Sequence, residues 1–194
     1  EEEEEDPELN SNVNMNSART AQAPKTKSKT PILDNFGTDL TLAATEGKLD
    51  PVVGREKEIL RISEILGRRK KNNPILIGEP GVGKSSVVYK LTYDILNGTC
   101  PEMFKNFLII SLNVNNLISG TKYRGEAEER YSDLIKMLEE YDNLILFIDE
   151  IHMIVGAGSS SGKDDQDFSN ALKPLLAGDG SIVIGATTNE EYKE

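Results

Sequence analysis

The chain has 194 residues, enough for one sizeable core plus a tail, and its formal net charge of −11 is unevenly placed. The first eight residues, EEEEEDPE, carry seven carboxylates, so the remainder is only mildly acidic and charge lends no support to a nucleic-acid partner. No apolar run approaches the roughly 18–20 residues of a membrane span, no secretory leader is visible, and the single Cys100 cannot close an internal disulfide, which suits a reducing compartment.

Residues 1–37 combine the acidic run, an Asn/Ser-rich middle and APKTKSKTP with almost no large apolar residues. Such a composition cannot offset the entropy of ordering a chain, and a solvated linker or tail is expected there. The folded domain is expected over 38–194. Its first element is an amphipathic helix across Arg55–Leu66, with Ile59, Ile62, Ile65 and Leu66 on one face and Gly67 as the stop. The basic run that follows, Arg68 to Lys71, reads as a solvated helix end, with a nucleic-acid contact the lesser alternative. The run PILI (Pro74–Ile77) has the pattern of a short buried strand, and Val87, Val88, Leu91 and Ile95 predict a helix ending at Asn97-Gly98. FLIISLN from Phe107 is the next strand, followed by a helix carrying Ala127, Tyr131, Leu134 and Leu138. NLILFIDE is apolar on both faces, as a strand covered on each side must be. A helix through Phe168, Ala171, Leu172, Leu175 and Leu176 and a strand in SIVIGATT complete the series. Strands alternating with helices predict an α/β fold, a parallel sheet sandwiched by helices.

Two motifs carry chemistry. GEPGVGKS, made of Gly78, Glu79, Pro80, Gly81, Val82, Gly83, Lys84 and Ser85, fits G-x-x-x-x-G-K-[ST] between a predicted strand and a predicted helix. Its glycines let backbone N–H groups curl around phosphate oxygens at a helix N-terminus. In this P-loop reading Lys84 reaches the β- and γ-phosphates and the Ser85 hydroxyl ligates Mg²⁺, with Ser86 beside it. About 65 residues on, LILFIDE ends in Asp149, placed to hold the Mg²⁺ shell opposite Ser85. Glu150 follows, a second carboxylate suited to activating the attacking water. The pair predicts ATP hydrolysis, and the lack of an N-K-x-D-like stretch disfavours GTP. Thr187, or its neighbours Thr188 and Asn189, either senses the γ-phosphate or orients the water, or only forms a turn. His152 is the only histidine and reads as a helix-face residue after the acidic pair. In GTKYRGE, Tyr123 is a loop aromatic between Lys122 and Arg124 whose use the residues alone do not reveal.

LDPVVGR, LGRRKKNNPILIGEPGVGKS, GTKYRGEAEER, LILFIDEIHMIVGAG, ALKPLLAGDG and IGATTNEEY occur in this order from residue 49 to 192. Together they resemble the first ATPase domain of the two-ring Clp unfoldases, the ClpA/ClpB/ClpC group of the AAA+ superfamily, with a slight lean toward ClpC. That resemblance implies a P-loop NTPase fold, ATP with Mg²⁺, and a homo-hexamer threading unfolded or aggregated protein through its pore. It makes Lys122, Tyr123, Arg124 and Gly125 the pore loop, Tyr123 gripping substrate, and puts Pro51, Val52 and Val53 near the adenine. Gly156–Lys163 becomes a second pore-side loop. A ClpP-like protease and adaptors are implied partners, and plastid stroma or cytoplasm the compartment. The family's arginine fingers, fifth core strand and helical lid would lie beyond Glu194, so the chain reads as part of a longer protein, weakly active in isolation. The family's strand order, 5-1-4-3-2, then leaves the PILI strand at an open edge. A nucleic-acid motor or clamp loader, or a non-hydrolysing nucleotide-dependent scaffold, are the competing classes.

Overall fold

The computed structural model describes residues 36–118, 124–154, 170 and 182–193. The acidic tail, the Lys122-Tyr123 part of GTKYRGE, the Gly156–Lys163 loop and the Phe168–Leu176 helix expected from the sequence lie outside them, apart from Asn170.

A short strand β1 (Gly37–Asp39) leads into α1 (Leu40–Thr45), where the Asp39 carboxylate accepts a hydrogen bond from the Leu42 N–H and caps the helix. Helix α2 (Glu56–Leu66) buries Ile59, Ile62 and Leu66, as its 3.6-residue spacing requires, and Arg68–Lys71 beyond it are exposed. Strand β2 (Ile75–Ile77) runs into α3 (Lys84–Asn97), which buries Val87, Val88 and Leu91. Gly98, at φ 70°, ends α3 in the left-handed conformation that glycine adopts without steric cost. Strand β3 (Leu108–Leu112), helices α4 (Val114–Ile118) and α5 (Arg124–Glu140), and strands β4 (Leu144–Ile148) and β5 (Ile182–Thr187) complete the order.

The sheet order is β1-β3-β4-β5-β2. Pairs β3–β4, β4–β5 and β5–β2 are parallel, and β1 pairs antiparallel with β3. The four strands expected from the sequence thus form the parallel sheet predicted, and β1 adds an antiparallel edge: Gly37–Asp39 offers only three residues, too short for any alternation to announce it. Every residue of β4 is buried, because α1, α2 and α3 cover one face of the sheet while α4 and α5 cover the other. Phe147 and Ile145 face the first layer, and Leu144, Leu146 and Ile148 face the second.

The expectation of a buried PILI strand fails. Ile75 and Ile77 are 45% and 41% exposed, because β2 has β5 on one side and, among the described residues, no strand on the other. An apolar edge of this kind invites further pairing, and its position agrees with the strand order that the resemblance implied.

Cys100 packs among Phe104, Leu91 and their neighbours, and burial pushes its thiol pKa up. Since the thiolate is the reactive form, a disulfide-exchange reagent at neutral pH is expected to label Cys100 at least about tenfold more slowly in the native protein than in urea. Equal rates would mean the cluster around it opens freely.

Candidate active site

The carboxyl ends of β2, β4 and β5 lie side by side, which is where open parallel sheets bind ligands. The Gly78 N–H donates to the Thr187 carbonyl at 3.2 Å, so the loop after β2 starts from the end of β5. Gly81 and Gly83 then turn the chain at φ 81° and 91°, conformations open to glycine at no steric cost. The Lys84 ammonium donates to the carbonyls of Gly78 and Glu79 at 2.7 and 3.1 Å, spanning the loop it closes.

The acidic turn is held from two sides. The Asp149 carboxylate accepts from the Glu150 N–H at 2.9 Å, and the Ile151 N–H donates to the Ala186 carbonyl of β5 at 3.0 Å. Ile151 then packs so close to Gly185 that a Cβ there would meet its Cδ1 at 2.8 Å, so any larger residue at 185 would make the isoleucine side chain shift. Glu150 itself sits at φ 51°, a left-handed backbone that a non-glycine residue holds only at some cost in strain.

A cavity of about 300 Å³ opens between these loops. Pro80, Gly81, Gly83, Lys84 and Ser85 line one wall, and Asp149, Glu150, His152, Thr187 and Thr188 the other. The arrangement therefore unites most of the phosphate loop with the acidic pair and with Thr187, three segments far apart in the chain. Ser85 and Asp149 offer a hydroxyl and a carboxylate to one space, a donor set suited to Mg²⁺, which takes one or two carboxylates and completes its shell with phosphate and water. Gly78, Glu79, Val82 and Ser86 belong to the same loop and first helical turn without lining the cavity. Pro51 and Val53 are exposed, Val53 to 96%, and Val52 is half-buried; none of the three lines the cavity.

Four contacts were not anticipated. His152 Nδ1 lies 2.9 Å from Thr187 Oγ1, so the histidine, on the helical turn after the acidic pair as expected, also anchors the buried threonine at the cavity wall. Asn189 Nδ2 donates to Glu79 Oε1 at 2.9 Å, joining the end of β5 to the phosphate loop. Arg55 donates to the Val82 carbonyl at 2.7 Å and to Glu58 at 3.0 Å. Glu58 is held below the usual carboxylate range, first by its own backbone amide and then by the Arg55 guanidinium. It thus stays ionised, and paired, below the pH at which an ordinary glutamate titrates. Position within LDPVVGR and DEIH was the only signal for Arg55 and His152. Arg124 and Gly125, expected in a loop, begin α5 instead; Glu126, Glu128 and Glu129 follow at once, and acidic residues favour a helix N-terminus.

Residues 74–193 match the ATPase family associated with various cellular activities (AAA). The chain belongs to the AAA family. Membership implies nucleotide binding, and it accounts for the glycine loop and the acidic strand end meeting at one cavity. The chain is 50% identical over 185 residues to an "ATP-dependent Clp protease ATP-binding subunit ClpA homolog" of Pyropia yezoensis, covering 95% of the chain and 22% of that relative. It is 49% identical over 175 residues to "Chaperone protein ClpC, chloroplastic" of Pisum sativum, covering 90% of the chain and 19% of that relative. Among solved structures it matches Hsp104 with ATPyS and FITC casein at TM-score 0.73 and 43% identity, over 84% of this chain and 27% of that one. The chain thus spans about a fifth of the length of the curated relatives it matches.

Proposed function

We propose that this domain is the ATP-hydrolysing element of a Clp-type protein unfoldase. The observation that carries the reading is the single cavity shared by Lys84, Ser85, Asp149, Glu150 and Thr187. Backbone N–H groups of the loop and the Lys84 ammonium receive the β- and γ-phosphates. Lys84 already reaches two loop carbonyls, so exchanging them for phosphate oxygens needs only a rotation of its flexible stem. Ser85 and Asp149 are the residues that would hold Mg²⁺, which when bound neutralises charge developing on the phosphates. Glu150, exposed at the end of β4, accepts the proton of the attacking water. Thr187, fixed by His152, meets the γ-phosphate side of the site. Pro51, Val52 and Val53 supply an apolar strip for the adenine, in the segment whose Arg55 donates to the phosphate loop.

In the assembled protein, a hexamer in this reading, Tyr123 with Lys122, Arg124 and Gly125 grips a polypeptide in the pore. An aromatic ring suits that task because it packs against varied side chains without reading sequence. The substrates are unfolded or aggregated proteins, handed to refolding or, with adaptors, to a ClpP-like protease. The similarity to a chloroplastic ClpC makes a plastid stroma the favoured compartment. No helix among the described residues is long and apolar enough to cross a membrane.

The test is ATP-driven unfolding of a tagged, stably folded reporter by the assembled protein and its Tyr123→Ala variant. Unfolding is expected to fall at least about tenfold, the loss of roughly one aromatic grip, with ATP turnover within about twofold of wild type. Equal unfolding by both would remove Tyr123 from the pathway. Failure of both, with single-stranded DNA stimulating turnover, would move the motor to a nucleic acid.

A further inference from the structure

Arg55 stands outside the machinery assigned above, yet its side chain makes the most direct link between the LDPVVGR segment and the phosphate loop. Gly54 and Arg55 are successive left-handed residues, at φ 83° and 71°, just before α2 starts at Glu56. The Arg55 side chain makes no capping bond to α2. Its Nη2 donates to the Val82 carbonyl at 2.7 Å, 27 residues away in the chain, while Nη1 donates to Glu58 Oε1 at 3.0 Å. The same Nη2 is seated against Gly83, where an added Cβ would meet it at 2.6 Å. The guanidinium therefore occupies the space that a side chain at position 83 would need. Arg55 is not among the residues lining the cavity, so it acts on the loop rather than on anything held there.

The carbonyl of Val82 and the N–H of Gly83 belong to one peptide unit. In a planar trans peptide those two groups point in opposite directions, and no described peptide is cis. Holding the carbonyl on Arg55 thus turns the Gly83 N–H away from the guanidinium, and Gly83 is a cavity-lining residue. Without that anchor, a glycine-flanked peptide rotates at little cost. We infer that Arg55, steadied by Glu58, is a positioning residue of the phosphate site, which fixes the Val82–Gly83 peptide so that its N–H is offered to phosphate oxygen. The inference rests on the nucleotide reading above and adds a residue to it.

The probe is a fluorescent ATP analogue with Mg²⁺, titrated into this chain and into Lys84→Ala, Arg55→Ala, Arg55→Lys and Glu58→Gln, alongside thermal unfolding and the ¹⁵N–¹H resonance of Gly83. Arg55→Ala is expected to weaken binding about tenfold, the equivalent of one lost charge-assisted hydrogen bond. It is also expected to lose most of the nucleotide-induced shift at Gly83 and to unfold near the wild-type temperature. Arg55→Lys, with a single point donor in place of the fork, should fall between the two. Glu58→Gln leaves the guanidinium in place but less firmly held, and about a twofold to threefold loss is expected. Should Arg55→Ala not fold, Arg55→Lys and Glu58→Gln carry the test. Wild-type binding lost in Lys84→Ala but within twofold in every Arg55 and Glu58 variant would overturn the positioning role alone. No binding by wild type would overturn the nucleotide reading, and this inference with it.

Discussion

Replacing Glu150 by glutamine is expected to lower ATP turnover in the assembled protein by about two to four orders of magnitude, the usual contribution of a positioned general base. Nucleotide affinity is expected to stay within about threefold of wild type, because the amide keeps the size of the side chain and the phosphate loop is untouched. Folding should be unaffected for two reasons. Glu150 is exposed, and both residue types meet the same backbone strain at φ 51°. The geometry also explains why water reaches this carboxylate. Glu150 and Asp149 line the nucleotide-side cavity and a second one of about 250 Å³, walled by Ser111, Asn113 and Met153. Phosphate release and nucleotide binding, measured on the same preparation, separate the two effects. Turnover within threefold of wild type would assign the base to another residue and leave Glu150 as a turn residue only.

The second large effect is on stability. Phe147 is 2% exposed at the middle of the sheet, on the β4 face covered by α2 and α3, among Val88, Leu91 and Ile145. Phe147→Ala removes a ring that the rigid sheet cannot collapse around, and a loss of about 3–5 kcal/mol is expected. A domain of this kind holds about 5–15 kcal/mol in all, so the variant should unfold roughly 10 °C lower, at about 2–4 °C per kcal/mol. Urea titration with an unchanged slope is the direct measure. Ile77→Ala is the control: the same sheet, but an edge residue 41% exposed, where less than about 1.5 kcal/mol is expected. If the two substitutions cost the same, β4 is not the centre of the core. Because Phe147 lies two residues before Asp149, losing this strand also dismantles the acidic wall of the cavity.

Much of the site was written locally. GEPGVGKS needed only its own glycines, its lysine and the apolar run before it to be placed between a strand and a helix, since φ > 0 at Gly81 and Gly83 is a property of those residues. The periodicity of Val87, Val88 and Leu91 fixed the buried face of α3, and the uninterrupted LILFI marked a strand covered on both sides. Alternation and helical spacing report which face of an element is apolar, and those readings hold because each is decided within a few residues.

Neighbour choice is a different matter. The exposure of Ile75 and Ile77 depends on which strands flank β2, and the apolar pattern of PILI is the same at a centre or an edge. The antiparallel pairing of Gly37–Asp39 with Ile110–Leu112 is settled by the open edge of β3, not by anything in three residues. Contacts that close the site span 27 residues for Arg55 with Val82, 35 for His152 with Thr187 and 110 for Asn189 with Glu79. By itself the sequence determined the phosphate loop, the acidic strand end and the apolar faces, because these follow from local sterics and spacing. Only the tertiary structure decided that Gly37–Asp39 pairs antiparallel with β3 and which side chains hold the loop, because hydrogen bonds between distant segments exist only once the sheet order has brought their ends together.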